Sequence, residues 1–235
     1  MDHKAKGNYA GRLKNVKVAA FMTAPRYENT WCRNVIEAAL KTAKIPLVIS
    51  GGVFYGQCME RMLFDAINAG VEMAITVDGD SVFTATDVKH LLSRITYNDE
   101  IDALAALQCR RGGIYPLMTL GDPNAEQCEF DGDPMRVKTA HFGLTAIRLD
   151  KLKTVPNPWF WSRPDDENTW FGNKVDDDIW FWKQWESAGH TVYVDPQVSI
   201  GHLEEVVSRY DETGAHCFEY PNDWFVENVD PTQKT

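Results

Sequence analysis

Two carboxylates, Asp78 and Asp80, stand one residue apart where an apolar run, residues 73–77 (MAITV), stops. A short run of apolar and β-branched residues reads as a buried strand. Ionised carboxylates at the end of a core strand are strongly disfavoured unless a cation or hydrogen-bond donors compensate them. A divalent ion does this. Oxygen ligands suit Mg²⁺ or Mn²⁺, which take one or two protein carboxylates and fill the other positions with water and phosphate oxygens. Gly79, between the acids, lets a bulky ligand approach the backbone. The same letters also suit an Asp-Gly turn whose second aspartate caps the following helix.

Three further groups carry chemistry. His202 follows Gly201 at the end of a strand-like run, 198–202. A neutral imidazole there is a good partner for carboxylates on a Mn²⁺-type ion, or it is a histidine hydrogen-bonded at the rim. Asp176, Asp177 and Asp178 open a helix over 179–188. Capping and the helix dipole account for one acid in a first turn, but three in a row exceed what a cap requires. A carboxylate held near the metal could take a proton from an attacking hydroxyl. Of the eight tryptophans, Trp180, Trp182 and Trp185 lie on that helix, at least two of them as core. Trp159, Trp161 and Trp170 lie in loop text at 156–172, where exposed aromatics either stack on sugar rings or plug apolar gaps.

The elements that must position these groups follow from periodicity. Residues 16–22 read as a strand ending in Thr23, Ala24, Pro25, Arg26 and Tyr27, and 31–44 has helical spacing. Residues 45–49 form a second strand with Ser50, Gly51 and Gly52 as its turn, and 57–69 a second helix ending at Gly70. The Asp-bearing strand comes next. Strand, helix, strand, helix, strand is the pattern of a parallel sheet with helices on its faces, and ligands bind beyond the carboxyl ends of such strands. The turns at 23–27, 50–52 and 78–80 should therefore gather on one edge. A third helix (86–95, capped by Thr84 or Thr86), a strand at 103–107, an irregular crossing at 116–136, a strand at 139–149, and strands at 191–194 and 198–202 complete the reading. No period is visible after Leu203. No dinucleotide-binding or Walker A fingerprint occurs in the turns, which leaves the acids as the phosphate binder.

Length and composition bound the rest. The chain has 235 residues, 44% hydrophobic and 25% charged, with a formal net charge of −10. That length suits one large domain. The negative charge argues against general nucleic-acid or anionic-membrane binding, which rely on basic surface. No apolar run is long enough to span a bilayer, and the polar leader at 1–15 has no signal-peptide core, so a cytoplasmic protein is expected. Cys32, Cys58, Cys109, Cys128 and Cys217 are odd in number and widely spaced. They read as reduced thiols rather than a disulfide framework or zinc site.

The order of these motifs resembles the nucleotide-sugar-dependent glycosyltransferases of the GT-A fold, especially the family 2-like group. The matching text is Thr23-Ala24-Pro25-Arg26, ITVDGDSVF, HFGLTAIR before an aromatic loop, VDDDIWFWKQWESAGHTVYVD, and VSIGHL. It covers most of 16–203. The resemblance implies one α/β domain with a mostly parallel central sheet and helices on both faces: a Rossmann-like nucleotide-binding half at 16–108, an acceptor half at 109–203, and an acidic aromatic tail at 204–235. It implies a nucleoside diphosphate sugar donor, UDP or GDP, a carbohydrate or other hydroxyl acceptor, and Mn²⁺ or Mg²⁺. Asp78 would contact the ribose or a water on the metal, and Asp80 and His202 would ligate the ion, with Asp78 counted as a further metal residue. Thr23, Pro25, Arg26, Tyr27, Ser50, Gly51 and Gly52 would frame the nucleoside, with Arg61 reaching toward it. His141, Phe142, Gly143 and Leu144, with Trp159 and Trp161, would border donor sugar or acceptor. Asp178 matches the catalytic base of inverting members, with Asp177 beside it where the family has Glu.

The family's usual acid after the second strand is replaced here by Ser50-Gly51-Gly52, so the nucleobase stays open. A haloacid-dehalogenase-like phosphohydrolase also uses two aspartates after a strand, but its motif normally ends the first core strand. A catalytically inactive binding module of the same fold is the third reading.

Overall fold

β1 (Val18–Ala24) is the first apolar run, and it lies between β2 (Leu47–Gly51) and β3 (Met73–Val77), parallel to both. The computed structural model describes residues 17–24, 28–110, 115–120, 130, 132–171 and 174–221. The leader at 1–15 lies outside them. α1 (Thr30–Ala43) starts where the Asn29 side chain accepts from Cys32 N and ends at Lys44 in the left-handed region. α2 (Tyr55–Ala69) ends at Gly70, φ 82°, as a C-cap glycine should. Alternate residues of β1 serve opposite faces. Ala19 and Phe21 pack with Met59, Met62 and Leu63 of α2, whereas Ala20 and Met22 pack with Ile36 and Leu40 of α1.

The chain continues through β4 (Ser81–Val82), α3 (Ala85–Thr96), β5 (Ala103–Gln108), β6 (Met118–Thr119), β7 (Met135–Val137), β8 (Thr139–Ala140) and β9 (Leu144–Arg148). α4 (Leu149–Leu152), α5 (Asp177–Ser187) and β10 (Val192–His202) follow, then β11 (Val207–Tyr210) and β12 (His216–Glu219). The main sheet runs β2-β1-β3-β9-β5-β10-β4, with β7 also on β10. β9 is antiparallel to β3 and β5, while β1, β2, β3, β5 and β10 share one direction. The result is one mixed α/β domain around a largely parallel sheet. α1 and α3 cover one face, and α2 and α5 the other. The carboxyl ends of β1, β2, β3, β5 and β10 therefore meet on one edge.

Three expected elements differ. Residues 139–149 do not form one strand, because the chain breaks at His141 to Gly143 between β8 and β9. The two strands expected at 191–194 and 198–202 are a single β10. Its register on β5 shifts between Asp195 and Ser199, which accommodates Pro196. Asp195 is fully buried at that shift, and its carboxylate accepts from Arg94 Nε at 3.1 Å and Gln197 N at 3.0 Å. The text after Leu203 contains a hairpin, β11 with β12, rather than aperiodic chain.

Candidate active site

β3 is buried along its length, and the chain turns as soon as it leaves the sheet, Ser81 N donating to Asp78 O at 3.1 Å. β4 follows at once and pairs antiparallel with the end of β10, Ser81 opposite His202 and Val82 opposite Gly201. Leu203 N donates to Asp80 O at 2.8 Å and closes the ladder. That register brings together two side chains far apart in sequence. His202 Nε2 lies 3.2 Å from Asp80 Oδ2, and His202 Nδ1 lies 3.1 Å from the Cys109 carbonyl. A carbonyl only accepts, so the hydrogen-bond network puts the ring proton on Nδ1. Nε2 then faces a carboxylate oxygen, an arrangement that calls for a proton or a metal ion between them.

The pair fits a metal. Adjacent ligands of an octahedral ion with bonds of roughly 2.1 Å stand about 3 Å apart, close to the observed 3.2 Å. Carboxylate oxygen with imidazole nitrogen suits Mn²⁺ better than Mg²⁺, because imidazole favours transition-metal ions. Among the described residues no group of three or more His, Cys, Asp and Glu converges on a metal position. Of the expected set Asp78, Asp80 and His202, the structure brings Asp80 and His202 into direct contact. Asp78, half-buried at the end of β3, is the charge acting most strongly on the Tyr55 hydroxyl.

α5 brings the second set of acids. Asp176 stands at its N-cap but makes no side-chain cap. Instead it pairs with Lys174 at 2.9 Å. Asp177 reaches across to α2, where its Oδ2 accepts from Gly56 N at 3.0 Å. Asp178 is half-buried and accepts from Ile179 N at 2.7 Å. Burial raises its pKa above the ordinary carboxylate value, against the Ile179 hydrogen bond and with help from Asp177 and Asp176. Asp178 lines an open cleft of ≈ 380 Å³ with Arg110, Met118, Thr139, His141 and Ile179. A carboxylate with a raised pKa on a cleft wall is suited to accept a proton.

No protein-family model matches the sequence, and no curated protein matches it. Solved structures do. The fold is similar to that of A197 from STIV, with a TM-score of 0.59 at 13% identity, over 86% of this chain and 94% of that one. This likeness bears on the fold alone. Mannosyltransferase PcManGT from Pyrobaculum calidifontis, in complex with GDP-Man and Mn²⁺, gives a TM-score of 0.48 at 11% identity, over 79% of this chain and 56% of that one. Glucosyl-3-phosphoglycerate synthase from Mycobacterium tuberculosis, in complex with Mn²⁺ and UDP-Glc, gives 0.45 at 8% identity, over 90% of each chain.

The remaining residues singled out in the sequence fall in several different places. Thr23 and Ser50 are register partners at the ends of β1 and β2, and Ala24 pairs with Gly51. Gly52 N donates to Ala24 O, and a Cβ at Gly52 would stand 2.3 Å from Cys58 Sγ. Pro25, Arg26 and Tyr27 lie outside the described residues. Arg61 is exposed on α2 and lines a different surface hollow, with Gln57, Glu60, Phe64 and Asn157. Trp161 is 51% exposed, edge-on to Trp180 at 5.3 Å, with Arg163 over both rings.

The sugar-bordering set is otherwise core, and this corrects the expectation for Phe142, Leu144 and Trp159. Phe142 stacks on Trp182 at 5.3 Å, Leu144 is fully buried, and Trp159 Nε1 donates to Val155 O. Phe142 and Trp159 fill the space between α5 and the sheet, and Leu144 packs on the opposite face with side chains of α1 and α3, so none of the three offers an open face. Trp182 and Trp185 are core, as expected of that helix. His141 holds the backbone: Nδ1 accepts from Gly143 N at 2.8 Å, so Nε2 donates to Ala106 O at 2.7 Å. Its pKa is lowered to about 4, chiefly by burial, with His202 adding to the fall.

Gly143 is fixed by sterics. A Cβ there would stand 2.5 Å from Gln108 Oε1, 2.6 Å from Ser81 Oγ and 2.8 Å from His141 Nδ1. Gln108 Nε2 donates to Ser81 Oγ and Gly201 O, which ties β5 to β4, directly after Asp80, and to β10, which carries His202. Gly143→Ala is therefore expected to cost about 1–3 kcal/mol through overpacking. A melting temperature within a degree of the unmodified protein would contradict it. Gln108, Ser81, Tyr55 and Gly56 are site residues that sequence reasoning missed. Only Gly56 gave a signal, as a glycine near a helix start.

Proposed function

We propose that this chain is a divalent-metal-dependent glycosyltransferase that moves a sugar from a UDP- or GDP-sugar to a hydroxyl acceptor with inversion. The observation that carries this reading is the meeting of Asp80 with His202 at 3.2 Å just beyond the carboxyl end of β3, and a cleft reaching Arg110, just past the end of β5, has Asp178 on its wall. Asp80 and His202 would hold Mn²⁺ or Mg²⁺. Such an ion, when bound, stabilises negative charge on a departing diphosphate.

The chain's own groups supply the rest. Asp178 takes the proton of the acceptor hydroxyl as its oxygen bonds to the anomeric carbon and the bond to the diphosphate oxygen breaks. Burial keeps Asp178 a better base than an exposed aspartate. Asp78 faces the ribose, and the ends of β1 and β2, with Thr23, Ser50, Gly51 and Gly52, frame the nucleoside. A Cβ at Gly79 would meet nothing within 4 Å, so the chain's own packing does not demand glycine there, and its missing side chain leaves room beside the acids. Trp161, exposed beside Trp180 and Arg163, supplies an aromatic face for the acceptor.

Thermal shift against UDP, GDP, CDP, ADP and their common sugar conjugates, with and without Mn²⁺, tests the reading. A ligand at 100 times its Kd stabilises by about 2.7 kcal/mol, which for a domain of this size is a rise of roughly 5–10 °C. The expected result is a metal-dependent rise with UDP or GDP conjugates. No rise with any of them overturns it.

A further inference from the structure

Tyr55 opens α2 with its ring against Phe142 and Phe160, centroids 6.2 and 5.9 Å away. The next residue, Gly56, donates its N–H to Asp177, and a Cβ there would stand 2.6 Å from Phe160 Cβ and 2.8 Å from Asp177 Oδ2. The start of α2 is thus pressed directly onto the acids of α5. The Tyr55 hydroxyl is buried and, among the described residues, has no hydrogen-bond partner; no other buried side-chain polar atom is left so. The charges that act on it are Asp78 first, then Asp178 and Asp177, and neither Asp80 nor His202 is among them.

A buried donor without a partner destabilises the fold, and native proteins keep few of them. Here it sits beside the carboxylates of the proposed site, which only accept hydrogen bonds. An anionic phosphate is disfavoured next to Asp78 and Asp178. A neutral hydroxyl is not, since its oxygen accepts from a phenol while its proton goes to a carboxylate.

We infer that the Tyr55 O–H donates to a hydroxyl of the transferred sugar, which in turn donates to Asp78 or Asp178, so that Tyr55 selects for the sugar and not for the nucleotide. This rests on the glycosyltransferase reading above. Tyr55→Phe removes one oxygen and keeps the ring packing. Calorimetric titration of the full chain with UDP, UDP-glucose, GDP and GDP-mannose, each with Mn²⁺, compares the two proteins.

The expected result is a loss of about tenfold in affinity for the sugar nucleotide that binds, the value of one net hydrogen bond. The matching diphosphate should bind unchanged, and the ligand-free melting temperature should not fall. Equal affinities for the sugar nucleotide overturn the inference, as does an equal loss for the bare diphosphate. So does a marked fall in the ligand-free melting temperature, which would reveal a structural partner. If the unmodified protein binds none of the four, the glycosyltransferase reading falls with it.

Discussion

Asp80→Ala is expected to abolish both sugar transfer and metal-dependent nucleotide binding. Asp80 Oδ2 faces His202 Nε2, and the Cys109 carbonyl holds the other ring nitrogen. Removing the carboxylate leaves one imidazole and no charge to offset a divalent ion. Loss of the several kcal/mol that a metal contributes to a charged transition state corresponds to a rate loss on the order of 10³-fold or more. The fold should survive, because the ladder between β4 and β10 is made by backbone groups. A variant that retains transfer would remove the metal assignment.

Asp178→Asn separates binding from chemistry. The amide keeps nearly the size of the carboxylate and can still accept from Ile179 N, but it cannot take a proton. Donor binding should remain, and turnover should fall by about 10²–10⁴-fold, the usual contribution of a general base. The stability effect has the opposite sign. The folded pKa of Asp178 is raised, so the folded state binds a proton more tightly than the unfolded chain. Ionised Asp178 therefore lowers stability as pH rises through the folded pKa. Asp178→Asn should melt higher than the parent at pH 7, with the difference vanishing below the ordinary aspartate pKa of about 3.9. The same shift places the acid limb of turnover above the ordinary carboxylate range. Full turnover by the variant would transfer the base role elsewhere, with Asp177 already committed to Gly56 N.

Much of the sheet is legible because its signals are local. Residues 73–77 are uniformly apolar and stop at Asp78, and the structure places β3 over the same residues. Gly70 ends α2, and Thr84 with Asp87 forms the cap of α3, as helix-terminus chemistry demands. The break at 141–143 is not legible, because the apolar text runs across it. What makes the break is an imidazole used as a backbone partner and a glycine pressed against Gln108 and Ser81. The hairpin at 207–219 turns on Asp211 and Gly214. Its strands alternate in exposure, and Asp211 accepts from Thr213 N and Ala215 N around Gly214, φ 81°.

The site divides the same way. Residue type pointed to Asp80, His202 and Asp178, but only the long-range pairing of β4 with β10 shows that Asp80 meets His202. Trp159 is ambiguous in sequence because aromatic text in a loop reads the same whether it faces solvent or core, and Phe142, set beside the sugar by the resemblance, is core.

The most direct test of the central claim is equilibrium binding of Mn²⁺ to the full chain, measured with and without UDP or GDP. Two protein ligands hold an ion weakly alone, and diphosphate oxygens would complete its shell. The account predicts one Mn²⁺ per chain that binds at least tenfold more tightly with the nucleotide present, and loss of that site in Asp80→Ala and His202→Ala. Mn²⁺ binding that is absent, or present but indifferent to both the nucleotide and these substitutions, would contradict it.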